Sequence, residues 1–523
     1  MEQFENGDGI IKFYYRPQEE RQETGEPPAD GLARESADAL CDRAAQRYEE
    51  GDGEQAFKLW LAAAEKEHAH AQYCLGICFL EGIGVEQDYG EAAAWFGRSA
   101  MQGNPYAQFN LAKCYEQGVG VKADRGAAFE WYSKAAEQDH VRAEYRLGMC
   151  YKENPALELA ANKAVYWLSQ AAQQDYTPAF YGLGECYAEG FGKDQNMREA
   201  LALFEKAADR GYLPAVHKLG VCREEGTGVP QDLAAAVEIY KRAAQEGYAP
   251  SKYALARLTE NGTGIEKDLA AAVKLYAEAA EDGYPAAQNA YGWCFVVGKG
   301  VKTDLCEAAR WFQRAAKQGD MRAQYNLAMC YEEGHGLRQN TEKAFYWHKQ
   351  AAEQGDDRAQ LHLGWAYQVG NGVAIDGAQA FSWLMRSAKQ GNAQAMSDLG
   401  YCYYNGIGVK KNKAEGFRWY LKAAEEKNVM AVYNVACSYR HGDGVKKDAR
   451  KAAEWYEKAA ALGMTDAMVG LGYLYERGKG VKKDVLQAEK WYRQALEHGE
   501  EGAEWLLQRK KFVKALQRIK DRR

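Results

Sequence analysis

Residues 105–140 read PYAQFNLAKCYEQGVGVKADRGAAFEWYSKAAEQDH, and the same pattern returns every 36 residues. Twelve copies run from Ala69 to Glu500 without an insertion. Self-similarity with a period of about 20–50 residues is typical of solenoids, whose units bury their apolar faces by stacking on their neighbours. The period therefore predicts one repeat array, although a globular chain of 523 residues would be expected to form about three domains.

The pattern within one repeat predicts two helices. Ala107, Leu111 and Tyr115 are spaced four residues apart and share one face of a first helix. Gly118 is suited to end that helix, because glycine adopts the left-handed conformation without strain. Asp124 is placed to cap a second helix, which carries apolar residues at steps of three and four. Each repeat is therefore predicted to be an antiparallel helical hairpin.

Composition excludes several classes of function. The 67 Lys and Arg residues against 74 Asp and Glu residues give a net charge of −7, which offers no broad basic surface for nucleic acid. The sequence has no apolar run of about 18 residues that could span a membrane, and Met1–Glu5 do not begin a signal sequence. We therefore expect a cytoplasmic protein.

The cysteines predict free thiols. Eight of the twelve occupy one repeat position: Cys78, Cys114, Cys150, Cys186, Cys222, Cys294, Cys330 and Cys402. Successive members lie one hairpin apart, roughly 10 Å by helix packing distances, whereas a disulfide needs Cα atoms within about 7 Å. The sequence has no C-x-x-C pair, which argues against zinc or redox chemistry.

The repeats carry a family resemblance. Residues 323–334 and 351–355 match almost throughout the pattern of the Sel-one-like repeat (SLR) family, a relative of the tetratricopeptide helical hairpins. The resemblance covers residues 69–500. It implies an all-α, right-handed superhelical solenoid of antiparallel helical hairpins, with twelve 36-residue SLR repeats plus end caps. It also implies that the first helices line a concave face that binds proteins and assembles complexes.

The ends differ from the repeats. Residues 1–36 form an acidic, proline-bearing tail that we expect to be disordered. Residues 37–68 read as a shortened N-terminal capping hairpin, and residues 501–523 as a basic C-terminal capping helix. The alternative for the last segment is binding to an acidic partner or an anionic surface. Residues 9–16 are an aromatic and basic island that could dock into the proposed groove; the alternative is packing on the first hairpin.

A binding face is predicted from the positions that vary between repeats. At about 100° per residue, the second, fifth, ninth, twelfth and thirteenth positions of the first helix point away from its constant side. The ninth holds large apolar side chains in five of the last six repeats: Trp293, Met329, Trp365, Tyr401 and Tyr473. Tyr404 stands at a twelfth position, and Glu332 and Glu333 suggest an acidic margin. The alternative is aromatic packing between adjacent first helices.

No catalytic pattern stands out. The nine histidines are scattered over different repeat positions, so we expect no catalytic residue, no metal site and no cofactor. The favoured function is a non-enzymatic scaffold or adaptor that binds a protein or extended peptide with apolar and basic side chains. The alternative is a small-molecule or cell-wall-fragment binding protein with hydrolase-like, β-lactamase-like activity. The family resemblance suggests it, since some secreted, cysteine-rich relatives with paired cysteines are linked to β-lactam binding.

Overall fold

The computed structural model describes residues 35–520, and the regular elements in that part of the chain are 28 α-helices without a strand. The aromatic and basic island at residues 9–16 lies outside the described residues. Contacts divide the chain into two compact units, Met1–Glu246 and Gly247–Arg523. The fold is an all-α solenoid built from paired helices, as the period predicts.

The described part of the first unit, which begins at residue 35, contains twelve helices. They are α1 Ala37–Glu49, α2 Gly53–Glu65, α3 Ala69–Glu81, α4 Tyr89–Met101, α5 Pro105–Gln117, α6 Arg125–Ala136, α7 Val141–Glu153, α8 Ala160–Gln173, α9 Thr177–Glu189, α10 Met197–Ala208, α11 Leu213–Glu225 and α12 Leu233–Gln245.

The described part of the second unit contains sixteen helices. They are α13 Ala249–Asn261, α14 Leu269–Glu281, α15 Pro285–Val297, α16 Leu305–Lys317, α17 Met321–Glu333, α18 Thr341–Glu353, α19 Asp357–Val369, α20 Gly377–Lys389, α21 Ala393–Asn405, α22 Lys413–Glu425, α23 Val429–His441, α24 Ala449–Ala461, α25 Thr465–Arg477, α26 Val485–Glu497, α27 Gly502–Gln508 and α28 Lys510–Lys520.

The turns inside the hairpins have the predicted chemistry. Gly118 ends α5 in the left-handed conformation with φ of +70°. Asp124 caps α6, because its Oδ1 accepts hydrogen bonds from the backbone N–H groups of Gly126 at 2.9 Å and Ala127 at 3.0 Å. The turn before α8 is different, as expected from its missing glycines. Leu159 there adopts φ of +55° and makes no side-chain cap.

Paired glutamines link several hairpins to the next one within each unit, and we call these pairs the glutamine ladder. Gln108 donates from Nε2 to the carbonyl oxygen of Ala100 at 3.2 Å and accepts at Oε1 from Gln138 at 2.8 Å. The same paired amides recur at Gln72 with Gln102, Gln288 with Gln318, Gln324 with Gln354, and Gln360 with Gln390. Each pair satisfies buried polar groups at the interface between hairpins.

One rung of this ladder carries a carboxyl group. Glu144 takes the place of the glutamine, is 1% exposed and accepts a hydrogen bond from Gln174 Nε2 at 3.0 Å. Burial, aided by the nearby Asp139, raises the pKa of Glu144 to about 7. Burial is costly for an ionised carboxylate, so this rung is weaker than the amide rungs.

The thiol prediction is confirmed. All twelve cysteines, which lie between residues 41 and 437, are free thiols. Seven of the eight column cysteines are buried, and Cys150 is half-buried. Burial raises the pKa of the Cys114 and Cys186 thiols to about 11.

The C-terminal segment forms two helices where one was expected. α27 and α28 are separated at Arg509. Phe512 of α28 is 1% exposed and packs with Tyr492 of α26, their ring centroids 5.5 Å apart. Among residues 35–520, none of the helices is long and apolar enough to cross a bilayer.

Candidate binding surface on the first helices

The twelfth position of a first helix often holds a glutamate that is tied to the second helix of the same hairpin. In four hairpins a tyrosine hydroxyl sixteen residues later donates to the carboxylate. The pairs are Tyr132 with Glu116 at 2.8 Å, Tyr240 with Glu224 at 2.9 Å, Tyr276 with Glu260 at 2.7 Å and Tyr492 with Glu476 at 3.0 Å. These carboxylates join the two helices of a hairpin, so they are not unpaired acidic groups on the surface of the first helices.

Glu332 occupies the same register but has two histidine partners. His348 Nε2 lies 3.1 Å and His362 Nδ1 lies 3.2 Å from Glu332 Oε2. The two imidazole rings stack, with centroids 4.6 Å apart and planes 10° from parallel. Hydrogen bonds from both histidines hold the pKa of Glu332 well below its ordinary value. Burial lowers the pKa of His348.

The two carboxylates of the predicted acidic margin, Glu332 and Glu333, both have histidine neighbours. Glu332 is engaged by two histidines, and the Glu333 carboxylate lies 2.8 Å from His335 Nδ1. Tyr404 is also engaged, since its hydroxyl donates to Asp443 at 2.7 Å. A carboxylate that already has partners has less long-range attraction for a basic ligand than an unpaired one.

The predicted aromatic row divides into exposed and packed members. Tyr401 is 53% exposed, Trp293 44% and Trp365 36%. Met329 and Tyr473 are half-buried. Arg440 lies over the Tyr473 ring at 4.7 Å, so this tyrosine packs within the array. Trp293 and Tyr401 are the members most available to a partner.

Trp365 has a structural role besides its exposure. Its indole Nε1 donates to Asp398 Oδ2 at 2.7 Å, and its ring meets His362 edge-on with centroids 5.2 Å apart. Burial raises the pKa of Asp398, an effect that the hydrogen bonds from Trp365 and Gln394 oppose. Loss of this indole would leave a partly desolvated carboxyl group without one of its donors.

The fifth position, expected to face outward, is packed instead. Its aromatic rings contact the second-helix ring of the same hairpin: Phe109 with Tyr132 at 5.7 Å, Tyr181 with Phe204 at 5.6 Å and Tyr253 with Tyr276 at 5.8 Å between centroids. This packing joins the two helices of one hairpin, so it differs from the packing between adjacent first helices that was the alternative for the ninth position. The part of each first helix that faces outward is therefore narrower than the arc predicted from about 100° per residue.

A groove of about 650 Å³ lies along the first helices α13, α15, α17 and α19. Its lining includes Trp293 and a buried amide pair in which Asn326 Nδ2 donates to Asn289 Oδ1 at 2.8 Å. The charged residues of the lining are Lys299, Arg322, Arg358 and Glu260. Glu260 pairs with Lys299, and Arg358 pairs with Asp356 outside the lining at 2.9 Å. Arg322 is the charged residue of the lining that takes part in neither pair, so the groove carries a small excess of positive charge.

Sequence reasoning missed the two histidines beside Glu332 and the basic side chains of the groove. A signal existed in the repeats, because His348 and His362 fall six repeats after Tyr132 and Arg146. Those two residues hold Glu116, through the Tyr132 hydroxyl and an ion pair from Arg146. Aligning the repeats by the partners of the twelfth-position glutamate would have placed both histidines next to Glu332. A search for a repeat position shared by several histidines could not.

Comparison with known proteins identifies the repeat. The model of the Sel1 repeat matches thirteen consecutive segments, residues 37–68, 69–104, 105–140, 141–176, 178–212, 213–248, 249–284, 285–320, 322–356, 357–392, 393–428, 429–464 and 465–500. The first of these is the segment interpreted from sequence as a capping hairpin. A search of curated proteins found no match.

Two solved structures are similar to this chain, and the first of them supports the family assignment. The chain is 30% identical to c5321, a protective antigen of uropathogenic Escherichia coli strains with an SLR fold. That match covers 88% of this chain and 92% of c5321, with a TM-score of 0.54. It is 32% identical to a Sel1 repeat protein from Oxalobacter formigenes, over 59% of this chain and 89% of that one, with a TM-score of 0.45. The chain therefore belongs to the Sel1 repeat family.

Proposed function

We propose that this protein is a non-enzymatic interaction scaffold that binds an extended segment of another protein along the first helices α15, α17, α19 and α21. The observation that carries the proposal is the exposed Trp293 in the lining of the groove of about 650 Å³. Repeat arrays commonly use such surfaces for protein recognition. The contact residues proposed below are chosen because their side chains are exposed.

Aromatic side chains on this face supply the expected contact energy. Large apolar groups exposed in a row usually mark an interaction site. Trp and Tyr are enriched among residues whose truncation weakens binding most, because they bury much area at small entropic cost. Trp293 and Tyr401 fit this role best, and Trp365 contributes its exposed edge while holding Asp398.

The charge of the groove favours a partner with apolar and acidic side chains. The sequence had suggested a basic partner, on the assumption of unpaired carboxylates at Glu332 and Glu333. Those carboxylates have histidine partners, whereas Arg322 is exposed in the lining of the groove. Complementary charge promotes encounter and sets the register of a bound segment.

The test is selection of binders from a library of random linear peptides. We expect the selected peptides to combine aromatic or aliphatic residues with Asp or Glu. Trp293→Ala should weaken their binding about 30-fold, the effect of about 2 kcal/mol. Arg322→Glu should also weaken it.

A matched control is available in the first unit. Arg142 is exposed and occupies the same repeat position as Arg322, five repeats earlier, outside the groove lining. Arg142→Glu changes the net charge equally and should leave peptide affinity unchanged. Equal loss in both variants, or selection of basic peptides, would contradict the assignment of the site.

The hydrolase-like alternative gains no support. It derived from relatives with paired cysteines in each repeat, whereas all twelve cysteines here are free thiols. The same free thiols fit a reducing compartment, in agreement with the cytoplasmic location expected from the sequence. Fractionation of cells that express the protein tests this location directly.

A further inference from the structure

We propose that Glu332, His348 and His362 form a binding site for a first-row divalent transition metal of the Zn²⁺ class. One ligand atom from each of these residues lies within 4.8 Å of the other two. The three residues come from three consecutive helices, α17, α18 and α19. Imidazole nitrogen and carboxylate oxygen are ligands that suit Zn²⁺ and its neighbours in the series.

The register of the repeats shows what is unusual about this cluster. Six repeats earlier, the same three positions hold Glu116, Tyr132 and Arg146, where a hydroxyl and a guanidinium neutralise the carboxylate. Neither of those side chains can ligate a metal in its usual protonation state. At Glu332 both partners are imidazoles, which can carry a proton or offer a lone pair. A tyrosine and an arginine are enough to neutralise the carboxylate, so the two histidines add a capacity to bind metal that this structural role does not need.

Two of the three separations between the ligand atoms match those around a shared metal, and the third, between the histidine nitrogens, is within 4.8 Å. Zn–N and Zn–O bonds of about 2.0–2.2 Å at a tetrahedral angle place neighbouring ligand atoms about 3.3 Å apart. The two observed nitrogen-to-oxygen distances are 3.1 and 3.2 Å. Because the rings stack nearly parallel, one imidazole must turn about its terminal torsion to aim its lone pair at the metal, and this torsion is broad and soft in histidine.

An unsatisfied atom in the cluster also argues against a purely structural role. His348 is 4% exposed, and its Nδ1 is buried without a hydrogen-bond partner. A tyrosine at this position, as at Tyr132, satisfies its single polar group with one hydrogen bond. Histidine at the same position buries a second polar atom, at a cost that a structural hydrogen bond alone does not offset.

The site has a route to solvent and space for a further ligand. The Glu332 side chain is 30% exposed and that of His362 is 15% exposed. Three protein ligands leave the fourth tetrahedral position for water or for a donor atom of another molecule. His362 contacts the Trp365 ring, so the site adjoins the proposed binding face. The proposal does not depend on a partner at that face.

The test uses the full-length protein without an affinity tag, stripped with a chelator and titrated with Zn²⁺ by calorimetry. Cys306→Ser serves as the background, because this thiol is exposed and could bind metal on its own. We expect one Zn²⁺ per chain. With Co²⁺ in its place, the visible absorption bands of a tetrahedral centre should appear at the same stoichiometry.

The decisive variant converts the cluster into its natural counterpart. The double substitution His348→Tyr and His362→Arg recreates the Glu116 arrangement, so the fold should survive while metal affinity falls more than about tenfold, the least expected from loss of a direct ligand. Glu332→Gln should show the same loss and decides the matter if the double variant does not fold. His335→Ala, which removes an exposed histidine outside the cluster, should bind as wild type. Absence of saturable binding, or binding that survives in these cluster variants, would overturn the proposal.

Discussion

Two loop glycines differ in what surrounds them: Gly408 lies between α21 and α22, and Gly391 lies between α20 and α21. Gly408 adopts φ of +65°, and a Cβ atom there would lie 1.8 Å from the carbonyl oxygen of Gly377. Gly391 also has a positive φ, +97°, but a Cβ atom there would meet nothing within 4 Å. Substitution of Gly391 therefore tests the cost of the left-handed conformation alone, whereas substitution of Gly408 tests that cost together with a backbone clash.

We expect Gly408→Ala to destabilise the protein far more than Gly391→Ala. The left-handed conformation alone costs a non-glycine residue about 1–2 kcal/mol. The backbone clash at Gly408 should add about 1–3 kcal/mol, because helix α20 must shift to make room. Urea denaturation of both variants measures the difference. Equal losses would mean that the loop does not press on α20 as closely as described.

The second prediction for a single residue is a gain of stability, at Glu144. Glu144→Gln should stabilise the protein by about 1–3 kcal/mol above pH 7, because an amide restores the donor that the other rungs possess. The gain should depend on pH. Unfolded glutamate titrates near 4.5, whereas burial raises the pKa of folded Glu144 to about 7.

The sign of this dependence follows from proton linkage. Between about pH 4.5 and 7 the unfolded carboxyl loses its proton before the folded one, so wild-type stability falls as pH rises. Below that window the two proteins should differ little, and above it their difference should level off. Thermal unfolding from pH 4 to 8 provides the measurement. A stability difference that stays constant with pH would show that Glu144 is not protonated in the folded protein.

At the scale of helices, the glutamine ladder is a recurrent polar link between hairpins. Gln360 donates to the carbonyl oxygen of Ala352 at 3.1 Å and accepts from Gln390 at 2.9 Å. Gln360→Met keeps the volume but leaves a buried carbonyl without its donor, so it should cost about 1–3 kcal/mol. Gln379→Met, at an exposed position of α20, is the matched control and should be neutral. An equal, small effect in chemical denaturation would show that the ladder contributes little.

The sequence predicted these helices well because each boundary depends on residues within one hairpin. Gly118 and Asp124 end and begin helices through bonds to neighbours two to four residues away. The binding surface was harder to predict. Whether Trp365 or Glu332 is available depends on Asp398, His348 and His362, which lie 16 to 33 residues away along the chain. Angular position on one helix carries no information on such partners.

For the molecule as a whole, the reactivity of the thiols measures how well side chains are buried in both units. Nine cysteines are buried, Cys150 and Cys437 are half-buried, and Cys306 is exposed. We expect one thiol to react rapidly with an aromatic disulfide reagent in the native protein, and Cys306→Ser to remove that phase. Full denaturation without reductant should release twelve reactive thiols. A count below twelve would reveal disulfides that the described fold does not accommodate.

The central claim is that the first-helix face at Trp293 binds a partner rather than stabilising the array. The measurement is the affinity of a library-selected peptide for Trp293→Ala and Trp383→Ala, with the stability of each variant determined alongside. Trp383 is 8% exposed in the core, so its loss should cost about 3–5 kcal/mol of stability while the folded protein still binds the peptide. Trp293→Ala should lose about 30-fold in affinity, the effect of about 2 kcal/mol, and less than about 1 kcal/mol of stability. If Trp293→Ala instead loses stability as Trp383→Ala does and binds the peptide normally, Trp293 is a packing residue and the proposed surface is wrong.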